Sequence, residues 1–211
     1  GTCTGATTSD AVVLTINNNP AQVPVANAGS DATLCALSSH ALQGSATNGT
    51  VAWSGGTGTY TPNATTATAA YTPSAAEITA GTVTLTMTVT GTQGTCSGAT
   101  TSDAVVLTIN NNPAQVPTAN AGSDATLCAV SSHALQGSAS NGTVLWSGGA
   151  GTYTPNATSA TATYTPSAAE ITAGTVTLTM TVTGTQGTCT GATTSDAVVL
   201  TINNNPAQVP V

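Results

Sequence analysis

The chain contains no lysine, no arginine and no phenylalanine. The missing cations exclude most anion partners. Phosphate contacts draw chiefly on Lys and Arg, so nucleic-acid binding is not expected, and neither is docking on anionic lipid, for the same reason. No apolar run reaches the roughly 18 residues a membrane helix needs, so no membrane insertion is expected. Charged residues are scarce altogether: seven acids and two histidines give a formal net charge of −7. No secretion signal stands at Gly1, where the chain opens inside a repeat, and that bears on nothing about export. So few charges would also fit disorder, but disordered chains lack regularly spaced β-branched and aromatic residues. This one has both.

What is present is a repeat. Cys3, Cys96 and Cys189 lie 93 apart (96 − 3 = 189 − 96 = 93), as do Cys35 and Cys128, Trp53 and Trp146, and His40 and His133. Residues 26–118 and 119–211 differ at eight positions, among them Leu37/Val130, Ala52/Leu145 and Ser97/Thr190. Residues 1–25 match 187–211 letter for letter, whereas 94–118 differ from them at two positions. The chain therefore divides into the tail of a preceding repeat (1–25), one whole repeat (26–118) and a second (119–211), and suggests a parent array that repeats every two domains. A period of 93 is too long for a solenoid coil and suits a small sandwich domain.

Within a repeat, short strands separated by turn signals predict an all-β sandwich of about seven strands. Val25 to Cys35 reads as an edge strand broken at Asn27-Ala28-Gly29, and His40 to Ala46 as the second strand. Val51 to Ser54 carries Trp53, and short strands surround Tyr60 and Tyr71. Thr82 to Thr90 alternates Thr with Val83, Leu85, Met87 and Val89, which places the apolar set inward. Asp103 to Ile109 closes the domain. Ser74 and Glu77, like Ser167 and Glu170, have capping-box spacing and predict one helical turn. The proline-bearing Asn110 to Pro117 is a stiff linker.

The runs ANAGSDATLC, Trp53-Ser-Gly-Gly56, YTPSAAEITAGTVTLTMTVTG and GTCSGATTSDAVVLTI resemble the PKD-like and immunoglobulin-like repeats of giant surface proteins of Bacteroidota. The resemblance covers both repeats. It implies tandem Ig-like/PKD-like domains, export by type IX secretion, and a place in gliding adhesins or predatory grappling-hook fibres. Cys35 precedes the second strand, so the disulfide geometry of antibody domains does not carry over.

Each chemically capable residue has a structural reading beside a functional one. The cysteines lack metal-ligand spacing and basic neighbours, so Cys35, Cys96, Cys128 and Cys189 are expected to form structural disulfides. Two registers are open: Cys35–Cys96 with Cys128–Cys189 inside each domain, or Cys3–Cys35 with Cys96–Cys128 between neighbours. The first is expected, because a small domain gains from a staple; closing a loop of about 61 residues contributes roughly 4 kcal/mol. His40 and His133 have no nucleophile or orienting acid and read as strand residues. Asp10, Asp31, Asp103, Asp124 and Asp196 come singly, which is poor for calcium, and Glu77 and Glu170 already cap helices. Trp53 reads as core, while Tyr60 and Tyr71 fit either core or a sugar platform. The Thr-rich face is too short for ice binding. Asn48, Asn63, Asn141 and Asn156 match the N-glycosylation pattern, incidentally if the source is bacterial.

These readings converge on a non-enzymatic, cofactor-free segment of a long extracellular fibre or stalk of a giant cell-surface adhesin, serving attachment, gliding or prey capture. The expected partners are further chains in a multi-chain fibre, and a surface glycan or prey cell reached through a tip outside this chain. A carbohydrate- or surface-binding repeat module is the alternative.

Overall fold

The computed structural model describes residues 10–16, 18–129 and 131–203; Cys3 lies outside them. In the first repeat the elements are β1 (Val25–Asn27), β2 (Ala32–Cys35), β3 (His40–Ala41), β4 (Ser45–Thr47), β5 (Gly49–Ser54), β6 (Thr59–Thr61), β7 (Ala70–Thr72), α1 (Ala75–Ala80), β8 (Thr82–Gly91), a 3-10 turn at Gly94–Cys96, and β9 (Thr100–Asn110). The second repeat follows the same order: β10 (Thr118–Asn120), β11 (Ala125–Cys128), β12 (His133–Ala134), β13 (Ser138–Ser140), β14 (Gly142–Ser147), β15 (Thr152–Thr154), β16 (Thr163–Thr165), α2 (Ala168–Ala173), β17 (Thr175–Gly184), a 3-10 turn at Gly187–Cys189, and β18 (Thr193–Asn203).

Each repeat is an all-β sandwich. Its main sheet has the order β2-β9-β8-β5, and a smaller layer is made by β3-β7-β6 and by β1-β4. The period-two alternation of β8 buries Val83, Leu85, Met87 and Val89 and turns its threonines outward. Val105, Leu107 and Ile109 of β9 and Trp53 of β5 join them, and Leu42, Ala69 and Tyr71 close the core from the other layer. The predicted helical turn forms. Ser74 caps it with a complete capping box, and Gly81 ends it in the left-handed region at φ 77°.

Two predicted strands are each split in two, which raises the count from about seven to nine among the described residues. Val25–Cys35 becomes β1, paired with β4, and β2, paired with β9, because the chain crosses between layers at Ala28–Asp31. Asp103 accepts the Ala28 N–H at 2.9 Å, and Asp31 accepts the Val106 N–H at 2.8 Å, so two carboxylates pin that crossing to β9. His40–Ala46 likewise breaks into β3 and β4. Gly44 lies at the break, where a Cβ would collide with Trp53, Met87 and the Ala67 carbonyl.

The direction of β2 fixes where the cysteines lie. It runs parallel to β9, with Cys35 opposite Asn110, the last residue of β9. Cys96, in contrast, sits against Gly91 at the other end of β8. The 11 residues of β9, at about 3.3 Å each, separate the two cysteines by roughly 36 Å. The expected Cys35–Cys96 staple is therefore not formed, and Cys128–Cys189 fails for the same reason: Cys128 faces Asn203, whereas Cys189 sits by Gly184.

The segment before the first repeat shows how far tertiary partners decide a strand. Residues 10–16 form none, and Val12, Leu14 and Ile16 are 80%, 82% and 86% exposed. Their counterparts in β18, Val198, Leu200 and Ile202, carry the same local sequence and are 1%, 0% and 3% exposed. The difference is β17 on one side and β11 on the other.

Candidate functional site

The cysteines meet where the two repeats abut. Cys35, at the trailing end of the first sandwich, is bonded to Cys189, at the leading end of the second, across a sequence separation of 154. This is neither register expected from spacing. Cys96–Cys128 is excluded as well, since those residues occupy the two outer ends: the order along the molecule is Cys96, β9, Cys35–Cys189, β18, Cys128. In the chain-entropy model a loop of this length contributes about 5 kcal/mol.

The bond sits in a small buried cluster with Ala192, against which Val116 of the linker packs; Val116 also touches the first core. The two copies are each other's control. Cys189 and Ala192 are buried, whereas their counterparts Cys96 and Ala99 in the first repeat are half-buried and exposed. Cys35 is buried, whereas Cys128 is half-buried. The sequence at these positions is the same, so the neighbouring repeat supplies the cover.

Polar groups brace the joint. Asn110 Nδ2 donates to Thr188 Oγ1 across it and to Gln115 Oε1 at 2.6 Å. Asn141 Nδ2 donates to the carbonyls of Pro113 and Val116 at 2.8 and 2.9 Å, and Asn48 does the same to Pro20 and Val23. Asn48 and Asn141 adopt positive φ (60° and 57°), a region asparagine tolerates better than most residues. Sequence reasoning notes only that these two match a glycosylation pattern, incidentally for a bacterial source, and misses them as linker clasps. The available signal is an Asn-Gly pair recurring at the repeat period. Their amide nitrogens are already committed to backbone carbonyls.

The linker is thus a braced turn, and it lies inside the disulfide loop. A broad-specificity protease that cuts within Asn110–Pro113 is expected to give one species of full mass on a non-reducing gel and two fragments after reduction. Fragments that part without reductant would refute the joint.

The remaining candidates take structural places. Glu77 is buried and accepts from Tyr71 Oη at 2.8 Å, the Thr57 N–H at 2.6 Å and the Ser74 N–H at 2.8 Å. Burial alone would raise its pKa, but these donors together outweigh it and hold the carboxyl below its usual value. Burial, then the Glu77 bond, pushes the Tyr71 hydroxyl up. Glu170 and Tyr164 repeat the pattern. Tyr60 lies on Tyr71 at 4.8 Å between ring centroids and donates to the Gly55 carbonyl at 3.0 Å, so its ring and hydroxyl are used within the fold. Trp53 is core, its indole N–H donating to Thr66 and Ala67 carbonyls. His40 opens β3 opposite Tyr71, and burial lowers its pKa. Asp124 and Asp196 repeat the backbone bonds of Asp31 and Asp103. Among the described residues no three of His, Cys, Asp and Glu gather as metal ligands. No helix there is long and apolar enough to cross a membrane. A shallow open groove beside β5, repeated beside β14, is lined by Ala, Gly, Thr, Val and, in the second copy, Leu145.

No protein-family profile matches the chain, and no curated protein matches it in sequence. Among solved structures it is similar to mouse cadherin-23 EC22-24, at 12% identity over 86% of this chain and 67% of that one, with TM-score 0.32. It is also similar to protocadherin gamma B2 extracellular cadherin domains 3-6, at 13% identity over 85% of this chain, with TM-score 0.33; the chain spans 47% of that structure's length. A chimeric titin Z1Z2 matches at 10% identity over 89% of this chain and all of that one, with TM-score 0.35. Likeness at this level says nothing of partners or function.

Proposed function

We propose that the chain is a load-bearing segment of a long extracellular fibre or stalk belonging to a giant cell-surface adhesin. The observation that carries this reading is the covalent joint: a disulfide that ties one sandwich end-on to the next serves to transmit force and fix orientation. A disulfide also fits an oxidising, exported setting. Six of the seven carboxylates, and the aromatics, support the same reading, because they are spent on backbone bonds and core packing rather than gathered for chemistry. On this reading residues 26–118 and 119–211 are tandem domains, 1–25 is the tail of another, and the parent is a type IX-secreted surface protein of the kind the sequence resembles. Binding is left to a tip, and chains associate side by side through their uncharged Thr-rich faces.

Imaging tests it. At about 40 Å per repeat, from 11 strand residues plus end loops, the chain should appear by rotary shadowing as a straight rod of about 80 Å. It should bend freely only after reduction. A rod equally hinged with and without reductant would refute the load-bearing joint. Specific retention of the chain on a glycan array would favour a binding module instead.

A further inference from the structure

Each repeat carries two cysteines, yet one joint uses only one from each. The trailing end of the second repeat is built like the trailing end of the first. Residues 125–129 read the same as 32–36, and Cys128 stands opposite Asn203 as Cys35 stands opposite Asn110. Cys128 carries no disulfide among the described residues and is half-buried. At the leading end of the first repeat, Cys96 occupies the place that Cys189 occupies in the second, beside Gly91 as Cys189 is beside Gly184. The surface that covers Cys35 is therefore present on the molecule in a second copy, at the leading end of the first repeat and facing the same way.

We propose that Cys128 is half of a second joint of the same design, bonded to the Cys96 counterpart of a following copy of the first repeat. The array is then a continuous disulfide ladder with one rung at every junction. This inference rests on the fibre reading. The partner is a further copy of this sandwich, docked end-on, and the chemistry is thiol–disulfide exchange. The Cys128 thiolate attacks a small-molecule or oxidoreductase disulfide and displaces one thiol. The Cys96-type thiolate then attacks the mixed disulfide at the Cys128 sulfur and displaces the second. One S–S bond forms, one breaks, and both electrons and both protons leave on the oxidant.

The eight differences between the repeats make the ladder readable. Cys35 is followed by Leu37 and Cys128 by Val130, while Cys96 is followed by Ser97 and Cys189 by Thr190. The 211-residue chain, carrying Cys3→Ser so that the Cys189 peptide is unique, is extended at Val211 by a copy of its own residues 26–118 in which alanine replaces the counterparts of Leu37 and Ser97 as tags. It is folded in a glutathione redox buffer, its remaining thiols are alkylated, and its peptides are mapped without reduction. The expected result is a Val130-containing peptide joined to the alanine-tagged one, a Leu37-containing peptide still joined to the Thr190-containing one, and alkylation of Cys128 about tenfold or more below that in the unextended chain. Cys128→Ser should remove the first link and leave the second. If Cys35–Cys189 forms and Cys128 is alkylated as fully as before, the ladder is overturned while the fibre reading stands. Cys128 joined to Cys189 and Cys35 to Cys96 would overturn both.

Discussion

Pulled from its two ends under oxidising conditions, the chain should lengthen very little, however far its domains unfold. The Cys35–Cys189 bond, with its separation of 154, takes residues 36–188 out of the load path. Only the segments outside the loop can straighten. With reductant present, each 93-residue repeat should release on the order of 300 Å, taking about 3.5 Å per residue less the folded span. Single-molecule force spectroscopy, run with and without dithiothreitol, reads this directly. Full-repeat steps in the absence of reductant would sink the assignment of the joint. In a laddered array the loops overlap, and the shortest covalent path runs from Cys189 to the Cys35 counterpart two repeats after Cys35. That is 35 + 186 − 189 = 32 residues in every 186. Complete unfolding would then stretch the array about 1.4-fold rather than about eightfold.

The second large effect belongs to Glu77. Glu77→Ala is expected to destabilise the first repeat by on the order of 3–5 kcal/mol, because the Thr57 and Ser74 N–H groups and the Tyr71 hydroxyl lose a shared buried acceptor. Glu77→Gln should cost less at neutral pH, since one acceptor oxygen survives. The same carboxylate sets the acid limit. Its folded pKa lies below the ordinary value of 4.5, so its contribution is complete above that value and is lost as pH falls through the lower folded value. Glu170 does the same for the second repeat. Ordinary acid unfolding by positive self-repulsion is nearly absent, because protonating seven carboxylates and charging two histidines leaves the side chains at only −7 + 7 + 2 = +2. Thermal melts followed by tryptophan fluorescence should show a plateau above about pH 5 and a decline below pH 4, and Glu77→Gln should flatten that decline for the first repeat. A wild-type melting point that rises as pH drops from 5 to 3 would contradict this.

Local pattern carries much of the fold. Thr82–Thr90 marks a half-buried strand by alternation alone, Ser74 and Glu77 mark a capped helical turn, and Trp53 falls in the core. The cysteine pairing is not legible, because it depends on which way β2 runs beside β9, and alternation is the same in either direction. Cys35 comes early in its repeat, which invites placing it at the leading end. The parallel pairing of Ala32–Cys35 with Leu107–Asn110 carries it to the trailing end. The split of His40–Ala46 is hidden for a related reason: the residues suit a strand, and only the close approach of Gly44 to Trp53 and Met87 shows that the chain changes layers there. Asn48 and Asn141 escape the pattern because a glycosylation motif records two side chains and not a backbone that passes 28 residues away in sequence.

The junction bond is also placed to report on strand pairing. Residues 7–17, 100–110 and 193–203 are the same eleven letters, and that strand fills the slot between β2 and β8 in its sheet. Near-identical neighbours invite exchange of just such a piece. A first repeat completed by the strand of the second would place Cys35 beside Asn203 instead of Asn110. The Asn110–Thr188 contact would then be missing, and Cys189 would not lie opposite Cys35. Closure of Cys35–Cys189 is then expected to favour the chain in which β9 has filled its own sheet, so the bond leaves a chemical record of which strand stands beside Cys35.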